Sequence, residues 1–282
     1  VEGVDPARLQ WVGAGGWIAV ISAAAWGLGY FGQPHILARF MAADSLEVIP
    51  QARRIGMTWM ILCLLGAVSV GIFGIAWFAE NPGQAAAVSQ NPERVFIMLA
   101  ELLFNPWIAG VLLSAILAAV MSTLSCQLLV CSSALTEDFY RGFLRPRAGE
   151  RELVWVGRAM VLVIALIAIF IARDPESRVL GLVSYAWAGF GAAFGPVVLF
   201  SLYWGRMTRQ GALAGIVAGA LTVVAWKLVA VERMGSGLYE IVPGFIVASI
   251  AVVVVSLLTR APGADVQARH QQVRQSLREN GY

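Results

Sequence analysis

The chain has 282 residues, of which 59% are hydrophobic and only 13% are charged, and its mean hydropathy is +0.74. A soluble domain carries about 25% charged residues, so this composition excludes that class. The apolar residues come in continuous runs of about 20, the length that crosses the hydrocarbon core as a helix, rather than in the alternating pattern of a β-barrel strand. The sequence therefore predicts an all-α polytopic membrane protein.

The balance of charges is basic, with a formal net charge of +3 and a pI near 9.0. A basic balance can indicate a nucleic-acid partner. In a membrane protein it is more typical of arginine-rich cytoplasmic loops. We therefore expect the lipid bilayer, and no nucleic acid, as a partner.

Apolar segments follow one another along the chain, and we place them at residues 16–37, 55–78, 107–135, 153–172, 179–204, 211–230 and 241–258. If the first segment ends in the cytoplasm, the inside loops hold most of the arginines, including Arg141, Arg145 and Arg147. Excess positive charge marks cytoplasmic loops. The amino end of the chain is therefore predicted to lie outside and its carboxyl end inside.

The connection from Glu80 to Pro106 is the longest outside loop. Its Asn91-Pro92-Glu93 sequence is typical of a helix start, with proline in the first turn. The apolar run that follows, Val95–Phe104, is too short to cross a membrane, so we expect an interfacial or re-entrant helix. The polar residues after Pro262 are expected to form a solvated tail.

The first segment contains residues that a regular helix tolerates badly, with three glycines and a proline in the run Trp26–His35. In lipid, broken backbone survives only where protein or a water-filled cavity satisfies it, and such helices form substrate sites in transporters. Trp26 and Tyr30 would share a face if the helix persists, and could wall a small zwitterion. A kinked helix with glycines for tight packing explains the same pattern.

The third segment is apolar but rich in hydroxyl groups. Helical spacing puts Ala119, Ser122, Thr123 and Cys126 on one face. Uncharged hydroxyl oxygens suit a hard monovalent cation such as sodium. The alternative is that these hydroxyls bond back to carbonyls of their own helix and serve close packing.

Three stretches resemble the sodium/solute symporter family, and most closely its proline-carrying branch. They are GLGYFGQPHILARFMA (Gly27–Ala42), ILAAVMSTLSCQLLVCSSALTEDFYR (Ile116–Arg141) and SYAWAGFGAAFGPVVLFSLYW (Ser184–Trp204). The resemblance covers nearly the whole chain. It implies a leucine-transporter-like fold of two inverted five-helix repeats with accessory helices.

The resemblance also implies a division of the chain. Residues 1–15 would be an external segment, 16–204 the second inverted repeat, 205–259 two accessory transmembrane helices and 260–282 a cytoplasmic tail. The first-repeat helices of the same protein would be missing from this chain. The chain alone is then not expected to transport.

The implied activity is sodium-coupled symport of L-proline across the bacterial inner membrane. The co-transported sodium ion would be bound by Ala119, through its carbonyl, and by Ser122 and Thr123, with further ligands from an absent helix. Proline would be bound by Trp26, Tyr30 and Pro34. Residues implied with lower rank are Cys126, Gly29 and Gln33.

Two other functions remain open at this point. The chain could carry another small solute with sodium, or it could be a transporter-like sensor domain fused to a signalling module. An intramembrane enzyme is a more distant alternative, because the sequence shows no HExxH motif and no paired intramembrane aspartates.

Overall fold

The computed structural model describes Val12, residues 15–173 and residues 179–279, and within them every regular element is helical. Six helices are long and apolar enough to cross a membrane: Val48–Glu80, Pro106–Leu144, Glu150–Ile171, Val179–Tyr203, Arg209–Val231 and Ile241–Leu258. They coincide with the second to seventh predicted segments. The predicted all-α fold with several membrane spans is confirmed.

The elements in chain order are α1 (Gly16–Ala25), a 3₁₀ helix (Trp26–Gly32), α2 (Pro34–Met41), α3 (Val48–Glu80), a 3₁₀ turn (Pro82–Gln84), α4 (Ala86–Gln90), a 3₁₀ turn (Pro92–Arg94), α5 (Val95–Leu103), α6 (Pro106–Ser133), a π-helical continuation (Ala134–Leu144), α7 (Glu150–Ile171), α8 (Val179–Tyr203), α9 (Arg209–Ala225), a π-helical continuation (Trp226–Val231), α10 (Ile241–Leu258) and α11 (Ala264–Glu279).

The chain forms two compact units. Of the described residues, the first unit holds Val12 and residues 50–173, and the second holds residues 15–49 and 179–279. Each is described by itself below.

In the second unit, α9 and α10 pack through residues spaced four apart on each helix. The buried residues of the α9 stripe are Gly211, Gly215 and Gly219, and those of the α10 stripe are Gly244, Ala248, Val252 and Ser256. Such spacing puts each set on one face. A Cβ at Gly215 would collide with the Val252 side chain, so the two backbones approach closely. Helices associate in lipid through close packing of small residues, because the hydrophobic effect contributes little to the free energy of their association there.

Helix α8 packs against both α9 and α10 and supplies the centre of the unit. Ala188 and Ala192 are fully buried and pack with Ala25, Val223 and Ile241. A Cβ at Gly219 of α9 would collide with the carbonyl oxygen of Ala192. Because backbone atoms cannot move aside as a side chain can, Gly219 determines how closely α8 and α9 approach.

Helix α8 carries Gly189, Gly191 and Gly195 shortly before Pro196. Gly191 and Gly195 are buried, and a Cβ at either would meet neighbouring elements, whereas Gly189 faces open space. Pro196 is buried inside the helix. Close packing therefore accounts for Gly191 and Gly195 but not for Gly189.

In the first unit, α6 and its π-helical continuation pack along α7. The Tyr140 hydroxyl donates to Glu152 Oε1 at 2.7 Å, and an Arg145 Nη1 lies 3.2 Å from the same oxygen. These contacts lie beyond residue 135, where the sequence predicted that the segment ends. The helix is longer than predicted because π-helical turns carry it through the polar residues to Leu144.

The loop before α6 follows its prediction. The Asn91 side chain accepts a hydrogen bond from the Glu93 N–H at 3.1 Å, with Pro92 in the first turn. The apolar run that follows forms α5, which is nine residues long and so cannot cross a bilayer. At the start of α6, the Asn105 side chain accepts from the N–H groups of Trp107 and Ile108.

Gly219→Ala and Gly189→Ala should change stability in opposite directions. Gly219→Ala is expected to lower the free energy of unfolding in detergent by about 1–3 kcal/mol, because its methyl group meets the Ala192 carbonyl. Gly189→Ala is expected to raise it by up to about 1 kcal/mol, because open space surrounds the site and alanine favours a helix. Equal effects of the two variants would contradict the packing described for α8 and α9.

Candidate solute and sodium sites

The predicted interruption of the first segment is present. Helix α1 ends at Ala25, Trp26–Gly32 forms a 3₁₀ helix, and Gln33 is extended with φ −85° and ψ 114°. Helix α2 then begins at Pro34, whose missing N–H costs nothing in a first turn. The prediction that Trp26 and Tyr30 share an α-helical face does not apply, because residues three apart share a face in a 3₁₀ helix.

The broken segment lies directly on α8. Gly29 and Gly32 are buried, and a Cβ at these positions would overlap the Trp187 indole and the Phe190 carbonyl, respectively. Glycine is needed at Gly29 because the Trp187 ring lies against it, and at Gly32 because the backbone of α8 does. Gly29, predicted with lower rank as a binding residue, is thus a packing residue in this structure.

Trp187 binds both ends of the 3₁₀ helix. Its indole Nε1–H donates to the Trp26 carbonyl oxygen at 2.9 Å, and its own carbonyl accepts from Gln33 Nε2 at 3.3 Å. Gln33 is only 4% exposed, so losing this bond would leave its amide unsatisfied in the interior. One residue of α8 thereby satisfies polar groups on either side of the break.

An aromatic cluster surrounds the start of the break. The Trp26 ring stacks against Trp187, with centroids 5.7 Å apart, and against Tyr239, at 5.9 Å. Tyr30 meets the Trp187 ring edge-on at 4.9 Å. Each such pair contributes about 0.5–1.5 kcal/mol beyond the area it buries. These contacts hold Trp26 and Tyr30 in one cluster although the helix between them is not α-helical.

Tyr239 attaches the segment between α9 and α10 to this cluster. Its hydroxyl donates to the Ser184 carbonyl at 2.6 Å, and its backbone N–H donates to Ser22 Oγ at 3.0 Å. Burial, and then the neighbouring Glu240 carboxylate, raise the pKa of the Tyr239 phenol well above its usual value. The phenol therefore stays protonated, and remains a donor, across the physiological pH range.

The predicted solute-binding residues differ in how accessible they are. Tyr30 is 45% exposed and Pro34 is also exposed, whereas Trp26 is half-buried and packs on both of its aromatic neighbours. Tyr30 and Pro34 can therefore contact a small ring directly. Trp26 mainly supports the cluster from within.

Sequence reasoning missed Trp187 and Tyr239 as site residues. Trp187 stands in the stretch Ser184–Trp204 that carries the family resemblance, but the resemblance assigned it no role. Tyr239 stands next to α10 and had no signal beyond its aromatic character. Both were missed because their contacts join residues more than 150 positions apart.

The predicted sodium ligands lie in the first unit, on the continuous helix α6. Ser122 Oγ and Thr123 Oγ1 both donate to the Ala119 carbonyl oxygen, at 2.9 Å and 3.2 Å. Ala119, Ser122 and Thr123 are all exposed, and Cys126, one turn further, is half-buried. The structure thus brings three oxygen atoms together at one point on the exposed surface of α6.

This geometry matches the alternative stated above, since both hydroxyls bond back within their own helix. The same bonds turn both hydroxyl oxygens toward the one carbonyl. A hydroxyl that donates a hydrogen bond keeps the lone pairs on its oxygen, so Ser122 and Thr123 can each still offer one to a cation. The three oxygens are therefore compatible with one side of a coordination shell for a hard cation.

Trp187→Phe tests the contact that spans the break. Phenylalanine keeps an aromatic ring but removes the Nε1–H, which leaves the Trp26 carbonyl without this donor. The expected loss is about 0.5–1.5 kcal/mol in the free energy of unfolding. Trp59→Phe, at a position on α3 that is 70% exposed, is the matched control and should change little. Equal losses in both variants would remove Trp187 from this role.

Comparison with known proteins identifies relatives along most of the chain. The chain is 71% identical over 252 residues to the sodium/proline symporter of Escherichia coli (strain K12). The matched residues are 89% of this chain and 49% of the relative. It is 50% identical over 266 residues to the high-affinity proline transporter PutP of Bacillus subtilis (strain 168), covering 94% and 55%. It is 49% identical over 286 residues to a sodium/proline symporter of Staphylococcus aureus, covering 99% and 55%.

The chain thus spans about half the length of the curated relatives it matches. The sequence model of the sodium:solute symporter family matches residues 16–219, which contain the broken segment, the oxygen cluster of α6 and Trp187. This chain therefore belongs to the sodium:solute symporter family, as its sequence motifs predicted.

Proposed function

We propose that the protein carries L-proline into the cell together with sodium, as a secondary active transporter of the bacterial inner membrane. The observation that carries the proposal is 71% identity, over 89% of this chain, to a relative named for sodium and proline. Membership of the symporter family supports the sodium part. The membrane-spanning helices support the location in a bilayer.

The sodium ion would be held by the Ala119 carbonyl and the Ser122 and Thr123 hydroxyls. Support comes from their convergence, since both hydroxyl oxygens lie within 3.2 Å of the carbonyl oxygen. Further ligands are proposed to come from first-repeat helices of the same protein, outside these 282 residues. Cys126 would border this site without being a ligand.

L-Proline would be bound at the broken segment. Tyr30 and Pro34 would contact the ring, and Trp26 would form the wall behind them with support from Trp187 and Tyr239. The carboxylate and the secondary ammonium need polar partners. Backbone groups of the 3₁₀ helix are suited to that role, because interrupted helices expose such groups.

Coupling requires that sodium bind one conformation better than the other. In this proposal sodium favours the outward-facing state, which is competent to bind proline, and the gradient then drives release inside. A membrane potential of about 100 mV adds roughly 2.3 kcal/mol per sodium ion to that drive.

The proposed architecture retains the division made from the sequence. Residues 16–204 would be the second inverted repeat, 205–259 two accessory helices and 260–282 a cytoplasmic tail. The amino end of the chain, including residues 1–15, would lie outside, and the arginine-rich loops would lie inside. Cysteine labelling from either side of the membrane, at positions before α1 and after α10, tests this orientation.

Thr123→Ala, in the intact membrane protein reconstituted in vesicles, should raise the sodium concentration for half-maximal proline uptake about tenfold or more. Loss of one ligand oxygen worth about 1.4 kcal/mol produces that factor. Ser125→Ala is the control, because Ser125 makes the same kind of bond, to the Met121 carbonyl at 2.8 Å, on another face of α6. An unchanged sodium dependence in Thr123→Ala would exclude Thr123 from the site.

Tyr30→Ala should raise the KM for proline about tenfold while changing sodium dependence much less. The exposed ring of Tyr30 would otherwise cover the solute. Phe31→Ala, at the neighbouring position and 41% exposed, is the control. A lost sodium response with an unchanged KM for proline would contradict this division of roles. If another solute outcompetes labelled proline in a panel of amino acids and small carboxylates, the transporter class stands and the solute changes.

A further inference from the structure

Helix α11 is not a free tail. Its residues Gln267, His270 and Gln271 line a cleft together with Gly205 and Arg206, which follow α8. A Cβ at Gly205 would come within 3.0 Å of the His270 ring. The sequence predicted a solvated tail here. The structure has a 16-residue helix that is exposed along most of its length, and its half-buried His270 contacts the residues that follow α8.

A second cleft, of about 450 Å³, opens along the same face of α11. It is lined by Leu46, Ile49, Leu202, Tyr203, Arg274, Leu277 and Arg278, all in the second unit. Its character is mixed, since side chains from the α2–α3 connection, the first turn of α3, the end of α8 and α11 form an aliphatic wall. Two arginines one helical turn apart on α11 also line it.

Arg274 and Arg278 give the cleft its positive charge. Within the part of the chain that the structure describes, neither Arg274 nor Arg278 forms an ion pair. Acidic groups stand nearby in sequence, but Glu47 and Glu279 do not line the cleft. The Glu279 carboxylate instead accepts a hydrogen bond from Gln275 at 2.9 Å. Among the described residues that line it, the cleft therefore presents two positive charges and no carboxylate.

The cleft lies at the boundary of a membrane span. Leu202 and Tyr203 are the last residues of α8, whose 25 residues are long enough to cross the hydrocarbon core. Tyrosine is enriched at that boundary because its ring is apolar and its hydroxyl is polar. A ligand in this cleft would have its charged end among head groups and its apolar end among acyl chains.

We propose that an anionic phospholipid binds in this cleft, with its phosphate on Arg274 and Arg278 and its upper acyl segment against Leu46, Ile49, Leu202 and Leu277. Basic pockets beside membrane helices are suited to acidic head groups, since arginine pairs with phosphate through two N–H groups. The bound lipid joins α11 to the end of α8 and to the α2–α3 connection. The binding is independent of which solute the protein carries.

Charge and shape favour a lipid over other anions. Inorganic phosphate would satisfy the arginines but leave the aliphatic wall uncovered. A zwitterionic phospholipid would cover the wall, but its choline group would weaken the attraction of the head group to two cations. An anionic phospholipid satisfies both halves of the cleft.

Native mass spectrometry of the intact, purified protein tests this proposal, with palmitoyl-oleoyl phosphatidylglycerol and phosphatidylcholine as probes. The expected result is a tightly retained phosphatidylglycerol, with phosphatidylcholine at least tenfold weaker. In Arg274→Gln/Arg278→Gln, affinity for phosphatidylglycerol should fall at least tenfold. The control is Arg209→Gln/Arg269→Gln, which removes the same charge from positions that do not line the cleft and should retain the lipid.

A second pair of variants separates loss of lipid binding from loss of folding. Leu277→Glu places a negative charge in the cleft and should abolish retention, whereas Leu277→Gln, of similar size, should only weaken it. Equal loss in both arginine double variants would mean diffuse surface attraction and would overturn the proposal. So would full displacement of phosphatidylglycerol by 10-fold excess inorganic phosphate, or equal retention of both lipids.

Discussion

The contact between the broken segment and α8 is the constraint on which the second unit depends. A helix interrupted inside a membrane leaves backbone groups that lipid cannot satisfy, at a cost of several kcal/mol each. Trp187 donates to one such group, the Trp26 carbonyl at the start of the break, and its own carbonyl accepts from the buried Gln33 side-chain amide at the end of the break. Gly29 and Gly32 allow the approach because they carry no side chain that would collide with α8. The interruption is stable because another helix completes it.

The oxygen cluster on α6 follows a different principle. Its helix is unbroken, and the three oxygens that converge on it are two side-chain hydroxyls and the Ala119 carbonyl to which both donate. Both hydroxyls donate to one carbonyl oxygen within the same helix, and an ion can compete with these hydrogen bonds for the oxygens. As the proposed sodium site, it would bind the ion weakly until ligands from another element complete it. Weak binding that other ligands complete would suit a co-transported ion, which must be released in each cycle.

Much of this fold could be predicted from the sequence, for reasons that are local. Continuous apolar runs determine where helices cross, the glycines and proline between Trp26 and Pro34 determine where the first one breaks, and Asn91 with Pro92 determines where a loop helix starts. Each signal is read within a few residues, and each was correct to within a turn or two. The main boundary error is the end of α6, where π-helical turns extend the helix to Leu144.

The parts that could not be predicted are long-range contacts. The stripe of Gly211, Gly215 and Gly219 is visible in the sequence, but nothing there says that it faces α10 and α8. Trp187 is one of ten tryptophans, and only the folded chain shows that it spans the break. The docking of α11 also depends on residues distant in sequence, including Gly205. Helix positions are local properties, whereas the partners of a helix face are not.

The central claim is that the broken segment, held on α8, is where a solute binds under the control of sodium. Hydrogen–deuterium exchange of the amides from Trp26 to Gln33 measures this most directly, in the intact protein with sodium, with proline, and with both. The account predicts that these amides become protected by proline only when sodium is present, with little change along α3. Protection that appears elsewhere, or proline protection that is equal without sodium, would contradict it.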